Sequence, residues 1–161
     1  MTTEDYNKCV DQWADGVYRF ILKNMRDEDD ARDVVQDAFE KLWIKVDEVA
    51  AEKAKSYLFT TAYHTMIDKI RKGKRMVAME EDHLNQVYDG NQYTGMREVL
   101  NEALTRLPEI QRSVIMLRDY EGYSYDEIGE ITGLSESQVK VYIYRGRTAL
   151  KNYIGKMEAV V

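Results

Sequence analysis

The stretch Ser124-Tyr-Asp-Glu-Ile-Gly-Glu-Ile-Thr-Gly-Leu-Ser-Glu-Ser-Gln138 sets two helix starts around one tight turn. Ser124 is followed three residues later by Glu127, and Ser135 by Gln138. At that spacing a serine hydroxyl accepts from the backbone N–H three residues on, and the Glu or Gln side chain reaches back to the serine N–H. Ile128 and Ile131 supply the apolar side of the first helix, and Thr132-Gly133-Leu134 is a short turn containing glycine. Two helices so joined make a helix-turn-helix, a motif whose second helix normally lies in a major groove.

The second helix obeys helical geometry. Val139, Ile143, Gly146 and Leu150 follow at steps of four, three and four, so they form one buried stripe. Half a turn away stand Ser137, Gln138, Val141, Tyr144, Arg145 and Thr148, flanked by Lys140, Arg147 and Lys151. From Ser137 to Lys151 there are four positive charges and no acid. Base contacts specify sequence and phosphate contacts fix position. Gln138, Val141, Tyr144 and Arg145 are therefore the expected base-facing residues, with Lys140, Arg147 and Lys151 nearer the phosphates. The plainer alternative is a solvated basic face.

Upstream, Val99, Leu100, Ala103, Leu104 and Leu107 recur at helical spacing. Pro108 suits the first turn of a following helix carrying Ile110, Val114 and Leu117, and Gly122 is placed to end it. Residues 76–96 differ in kind: they hold no Lys or Arg, four acidic residues and two glycines, which reads as a flexible acidic linker. Just before it, Lys69-Ile-Arg-Lys-Gly-Lys-Arg75 has five basic residues in seven. That run ends a helix whose expected buried side is Tyr57, Leu58, Thr61, Ala62 and Thr65, with Ile67 or Ile70. Two further amphipathic helices precede it. One runs from Asp5 to about Met25; the other, capped by Asp27-Glu28-Asp29-Asp30, buries Ala31, Val35, Ala38 and Leu42, flanked by Phe39 and Trp43. The fold class is all-α: two small helical domains, 1–75 and 97–161, joined by the linker 76–96.

Composition narrows the function. Hydrophobic residues make up 44% and charged residues 32%, with one proline. One cysteine, Cys9, excludes an intrachain disulfide and a cysteine-cluster zinc site. Met1 is followed by the polar, acidic Thr2-Thr3-Glu4-Asp5, and no apolar run approaches the ~20 residues of a membrane span. A cytoplasmic protein without membrane insertion is expected. The net charge of −6 disfavours nucleic acid overall, so the placement of the cations matters more than their sum.

From Leu107-Pro-Glu-Ile-Gln-Arg112 through Leu150 the chain resembles region 4 of extracytoplasmic-function sigma factors. The matching elements are Leu107-Pro108, Val114 to Leu117, Glu121-Gly122, Ser124 to Ile128, Val139-Lys140 and Arg145-Gly-Arg147. Asp30-Ala-Arg-Asp-Val-Val-Gln-Asp-Ala-Phe-Glu-Lys-Leu-Trp43 is similar to the polymerase-binding helix of region 2 in that family. Ser56-Tyr-Leu-Phe-Thr-Thr-Ala-Tyr-His-Thr-Met-Ile-Asp-Lys-Ile-Arg71 is similar to its promoter-opening helix, with His64 where the family often has Asn.

The resemblance implies a promoter-specificity subunit of bacterial core RNA polymerase. Asp33, Gln36, Asp37 and Glu40 share one helical face, which the resemblance docks on the β′ clamp helices. Region 4 would rest on the β flap and read the minus-thirty-five element. Tyr57, Phe59, Tyr63 and His64, with Lys69, Arg71, Lys72, Lys74 and Arg75, would meet the minus-ten element, and the loop near 46–55 would hold a flipped base. An anti-sigma factor is an implied partner, and the free chain is expected to be a monomer. No catalytic residue, cofactor or metal is expected. Two rivals remain: a stand-alone helix-turn-helix regulator, and an all-α isoprenoid synthase suggested by Asp29-Asp-Ala-Arg-Asp33.

Overall fold

Helix α1, Thr3–Met25, starts at a capping box that the sequence reading passed over: the Asp5 N–H donates to Thr2 Oγ1 at 3.0 Å and the Thr2 N–H to the Asp5 carboxylate at 3.0 Å. It ends at Arg26, a non-glycine residue held in the left-handed conformation at φ 60°. Helix α2, Glu28–Ile44, is capped by Asp27, whose side chain accepts from the Asp30 N–H, and it carries three acids in the first turn, where the helix dipole favours them. After a turn and the short 3₁₀ segment Ala51–Lys53 comes α3, Ala54–Val77. The second half holds α4 (Met96–Thr105), α5 (Glu109–Ile115), α6 (Tyr125–Thr132) and α7 (Glu136–Val160).

The computed structural model describes residues 1–77 and 95–160, with side chains omitted at 74–77 and 157–160. The expected linker 76–96 falls largely outside the described residues, and α3 and α4 border that stretch at Val77 and Met96. All regular structure among the described residues is helical.

Both capping boxes of the helix-turn-helix are formed. The Ser124 hydroxyl accepts from the Glu127 N–H at 3.1 Å, and the Ser135 hydroxyl from the Gln138 N–H at 3.1 Å. Gly133 caps α6 at φ 82°, a conformation that costs glycine nothing. Pro108 sits one position earlier than expected, as the N-cap of α5.

Beyond α5 the chain widens. The Glu121 N–H donates to the Met116 carbonyl, an i to i+5 bond, making a π-helical turn over Met116–Tyr120 before Gly122 reverses the chain at φ 75°. This turn was not foreseen, and it aims Asp119, Glu121 and Tyr123 at different neighbours.

One hydrophobic core runs through both halves. Val17, Phe20, Ile21, Val34, Leu42, Leu58 and Met66 from the first half join Val114, Leu117, Tyr123, Ile128 and Val139 from the second. The rings of Phe20 and Phe59 lie 5.6 Å apart, and Phe59 meets Tyr123 edge-on at 5.7 Å. The expected buried side of α3 needs correction. Leu58 and Ala62 are buried, but their companions are Ala54, Phe59, Tyr63 and Met66, while Tyr57, Thr61, Thr65, Ile67 and Ile70 are only partly covered. Helix α3 packs on α1 and α2 and also on α6, so a face that periodicity alone leaves to solvent is covered by the second half. On α2 the buried residue is Val34 and Val35 is partly exposed.

Gly129 allows the close approach inside the helix-turn-helix: a Cβ there would lie 2.7 Å from the Leu134 carbonyl oxygen, a backbone atom that cannot swing aside. Gly129→Ala is expected to cost about 1–3 kcal/mol, read as a lower urea midpoint at an unchanged denaturant slope.

Candidate nucleic-acid and polymerase interfaces

Helix α7 rests on α4, α5 and α6 through Val139, Ile143 and Gly146, which are buried, and Leu150, which is partly buried. Its other side is open. Gln138, Lys140, Val141, Tyr144, Arg145, Arg147 and Lys151 are all exposed, and the apolar Val141 and the ring of Tyr144 stand 43% and 72% accessible. No interior contact accounts for large apolar groups left this bare on a basic helix.

Three of these residues are partly engaged. Gln138 accepts from the Ser135 N–H through Oε1 at 2.9 Å, so its amide NH₂ is the end left for other partners. Lys140 lies 3.8 Å from the Glu136 carboxylate and near the Tyr125 ring. Arg147 grips Asp119 of the π turn with both Nε and Nη2. That contact bends the expected phosphate-facing role: the guanidinium is already oriented by a carboxylate. Tyr144, Arg147, Thr148 and Lys151 also line a shallow cleft with Tyr125.

On α3 the expected minus-ten residues separate into three groups. Tyr57 lines a cleft of about 380 Å³ with Glu48, Val49, Ala50, Lys53 and Ser56, at the loop to which the resemblance assigns a flipped base. His64, Arg71 and Lys72 are exposed, and Lys69 lies 3.9 Å from Asp33 of α2. Tyr63 and Phe59, in contrast, are buried, and in this arrangement neither ring is open to a base. Tyr63 packs within the shared core, and Phe59 is covered by Tyr123. The side chains of Lys74 and Arg75 lie outside the described residues.

Asp33, Gln36 and Glu40 project from α2 into solvent, as their spacing predicts. Asp37 is partly covered, pairs with Lys41 at 3.0 Å and accepts from the Thr65 hydroxyl at 3.2 Å. Beside this acidic face Trp43 is half exposed, its ring 5.0 Å from that of Tyr6, and Ile44 is 78% exposed. An apolar end next to an acidic ridge is the composition of a protein-docking surface. The sequence reading placed Trp43 at the edge of the core and missed its exposure. Two carboxylates of the diphosphate-like motif are engaged by cations, Asp29 by Arg32 and Asp33 by Lys69, while Asp27 just before it caps α2.

Residues 9–76 match the family model for sigma-70 region 2, and residues 97–150 that for sigma-70 region 4. The RNA polymerase sigma factor SigV of Bacillus subtilis is 30% identical over 149 residues, covering 92% of this chain and 90% of the relative. The chain belongs to the extracytoplasmic-function sigma factors. The ECF RNA polymerase sigma factor SigM of the same organism is 29% identical over 90% of this chain and 92% of its own. Among solved structures, the sigma factor RpoE from Bartonella quintana, determined in complex with the anti-sigma factor NepR, shares the fold with a TM-score of 0.79 at 23% identity, over 95% of this chain and 98% of its own. CnrH, in complex with the cytosolic domain of CnrY, gives 0.67 at 22% identity, over 94% and 88%. This sigma factor directs RNA polymerase in transcription initiation.

Burial pushes the Tyr63 phenol up to about 12, with Glu109 nearby adding to the effect, and burial raises Tyr123 as well. A phenol whose folded value is raised stabilises the fold fully below its ordinary value near 10 and loses that contribution as pH climbs toward 12. In an alkaline titration Tyr63 and Tyr123 should therefore ionise only with loss of near-ultraviolet circular dichroism.

Proposed function

We infer that the exposed face of α7 reads the minus-thirty-five duplex, with Val141, Tyr144 and Arg145 at base edges, the Gln138 amide beside them, and Lys140, Arg147 and Lys151 at phosphates. The observation that carries this reading is the stretch Ser137–Lys151 of α7, which holds no acid and whose valine and tyrosine stand in solvent above a buried stripe. Region 2 spans residues 1–75 in this reading, region 4 residues 97–161, and 76–96 tether them. The face of Asp33, Gln36, Asp37 and Glu40, extended by Trp43 and Ile44, docks on the β′ clamp helices, and region 4 rests on the β flap. Tyr57 and the cleft at residues 48–61 receive a promoter base, while Lys69, Arg71, Lys72, Lys74 and Arg75 attract the backbone.

The core polymerase supplies the catalysis, and this chain acts as a cytoplasmic monomer without enzymatic chemistry of its own. Among the described residues no helix is long and apolar enough to cross a membrane. RpoE of Bartonella quintana in complex with the anti-sigma factor NepR supports an anti-sigma partner here.

Run-off transcription with purified core polymerase on genomic DNA tests this function, and specific starts that require this chain are the expected result. Arg145→Ala should cost about 1–3 kcal/mol of discrimination at one position of the upstream element, measured across single-base variants of a mapped promoter. Lys151→Ala should weaken all promoters alike and flatten the logarithmic salt dependence by about 0.9.

A further inference from the structure

Between α1, α4 and the π turn the surface opens into a cleft of about 610 Å³. Arg19 and Lys23 of α1, Arg97 and Asn101 of α4 and the ring of Tyr120 line it. Arg19 and Lys23 are four residues apart, so they share one face of their helix, and Arg97 and Asn101 repeat that spacing on α4. The two faces meet where Lys23 Nζ donates to Asn101 Oδ1 at 2.6 Å. None of these side chains belongs to the faces proposed for DNA or for the clamp helices.

Like charges gathered this closely repel. Burial, and then Arg97 and Arg19 beside it, hold the Lys23 ammonium below its ordinary value. The neighbouring carboxylates are already committed. Asp119, on the cleft wall, is gripped by Arg147, and Glu121 meets Arg19 at 3.5 Å with its own side chain only 8% accessible. The Tyr120 ring, 5.3 Å from the Lys23 ammonium, offers its π face, which attracts a cation but carries no net countercharge.

What the cleft presents is therefore a set of donors. Lys23 keeps N–H groups beyond the one given to Asn101, the Asn101 carbonyl is taken and leaves its NH₂ to donate, and two guanidinium forks suit paired phosphate oxygens. Three cations on two opposing faces call for an anion with several charges spread over more than one centre. The volume falls within the roughly 300–1,000 Å³ of small-molecule sites. The Tyr120 ring at the edge leaves an apolar platform for whatever the anion is attached to.

We propose that this cleft is a binding site for a diphosphate group, held by Arg19, Lys23 and Arg97 with the Asn101 amide donating beside them. The diphosphate is either free or the tail of a nucleotide whose base lies on Tyr120. Bound there, it supplies the countercharge that Lys23 and Arg97 lack and stabilises the fold that assembles the site.

Isothermal titration calorimetry on the full chain, in low-salt buffer free of phosphate and magnesium, tests the site with three probes: pyrophosphate, GDP and guanosine. Pyrophosphate and GDP should bind at one site per chain and raise the melting temperature, and guanosine should do neither. GDP binding more tightly than pyrophosphate would identify a nucleotide as the ligand; equal affinity would identify the diphosphate alone. Lys23→Gln and, independently, Arg97→Gln should each weaken pyrophosphate by about tenfold or more, the loss expected for one charge-assisted hydrogen bond. Arg97 is exposed, so its replacement leaves the fold intact. Lys8→Gln and Lys45→Gln, exposed cations outside the cleft, should leave the affinity as it was. Absence of heat with both phosphate probes would overturn the site. So would guanosine binding as tightly as GDP, or pyrophosphate binding that neither cleft variant changes. The measurement involves neither DNA nor polymerase, so its failure is distinct from failure of the sigma-factor reading.

Discussion

The edge of one tyrosine ring against the face of another aromatic, Tyr123 on Phe59, is the contact on which the architecture turns. Each half alone offers a modest core. Together they bury Phe20, Phe59 and Tyr123 in one continuous interior, with α3 lying between α1, α2 and α6. Aromatic pairs of this geometry contribute about 0.5–1.5 kcal/mol beyond the area they bury. The polar bonds around them add direction. In four of the six polar pairs described between the halves the first half supplies the donor and the second the acceptor.

Charge is sorted by location. The net −6 conceals an α2 ridge of carboxylates, a basic end to α3 and an α7 face with cations and no acid from Ser137 to Lys151. Such sorting gives one small chain separate acidic and basic surfaces, as the proposed protein and DNA contacts require, with fields that fade over about 10 Å at ordinary salt. Within this pattern Lys69–Asp33 and Arg147–Asp119 are local exceptions, each tying a cation proposed for phosphate to a carboxylate of another element. Exposed pairs of this kind are worth little, about 0–1 kcal/mol, so a phosphate can displace the carboxylate at small cost.

Much of this was legible in the residues. The serine–glutamate and serine–glutamine spacings located the starts of α6 and α7, and the 139–143–146–150 stripe oriented α7, because caps and periodicity are local properties. Local rules also failed where long-range packing decides. Phe59 and Tyr63 looked like free aromatics among lysines and arginines, yet they are interior, since spacing along α3 cannot reveal that α6 will cover it. The cap at Thr2 was legible by the same rule as the other two and was passed over. The π turn left no pattern at all: one additional residue between Met116 and Glu121 is invisible until the hydrogen bonds are drawn.

That widened turn has a mechanical consequence. Its five residues and the three after them hold Asp119 against Arg147 of α7, Glu121 against Arg19 and Lys55, and Tyr123 against Phe59. The poise of Arg147 and the attachment of one half to the other therefore hang from a single short length of backbone. A displacement begun at either border is carried to the other through that hinge, without any helix in between having to bend.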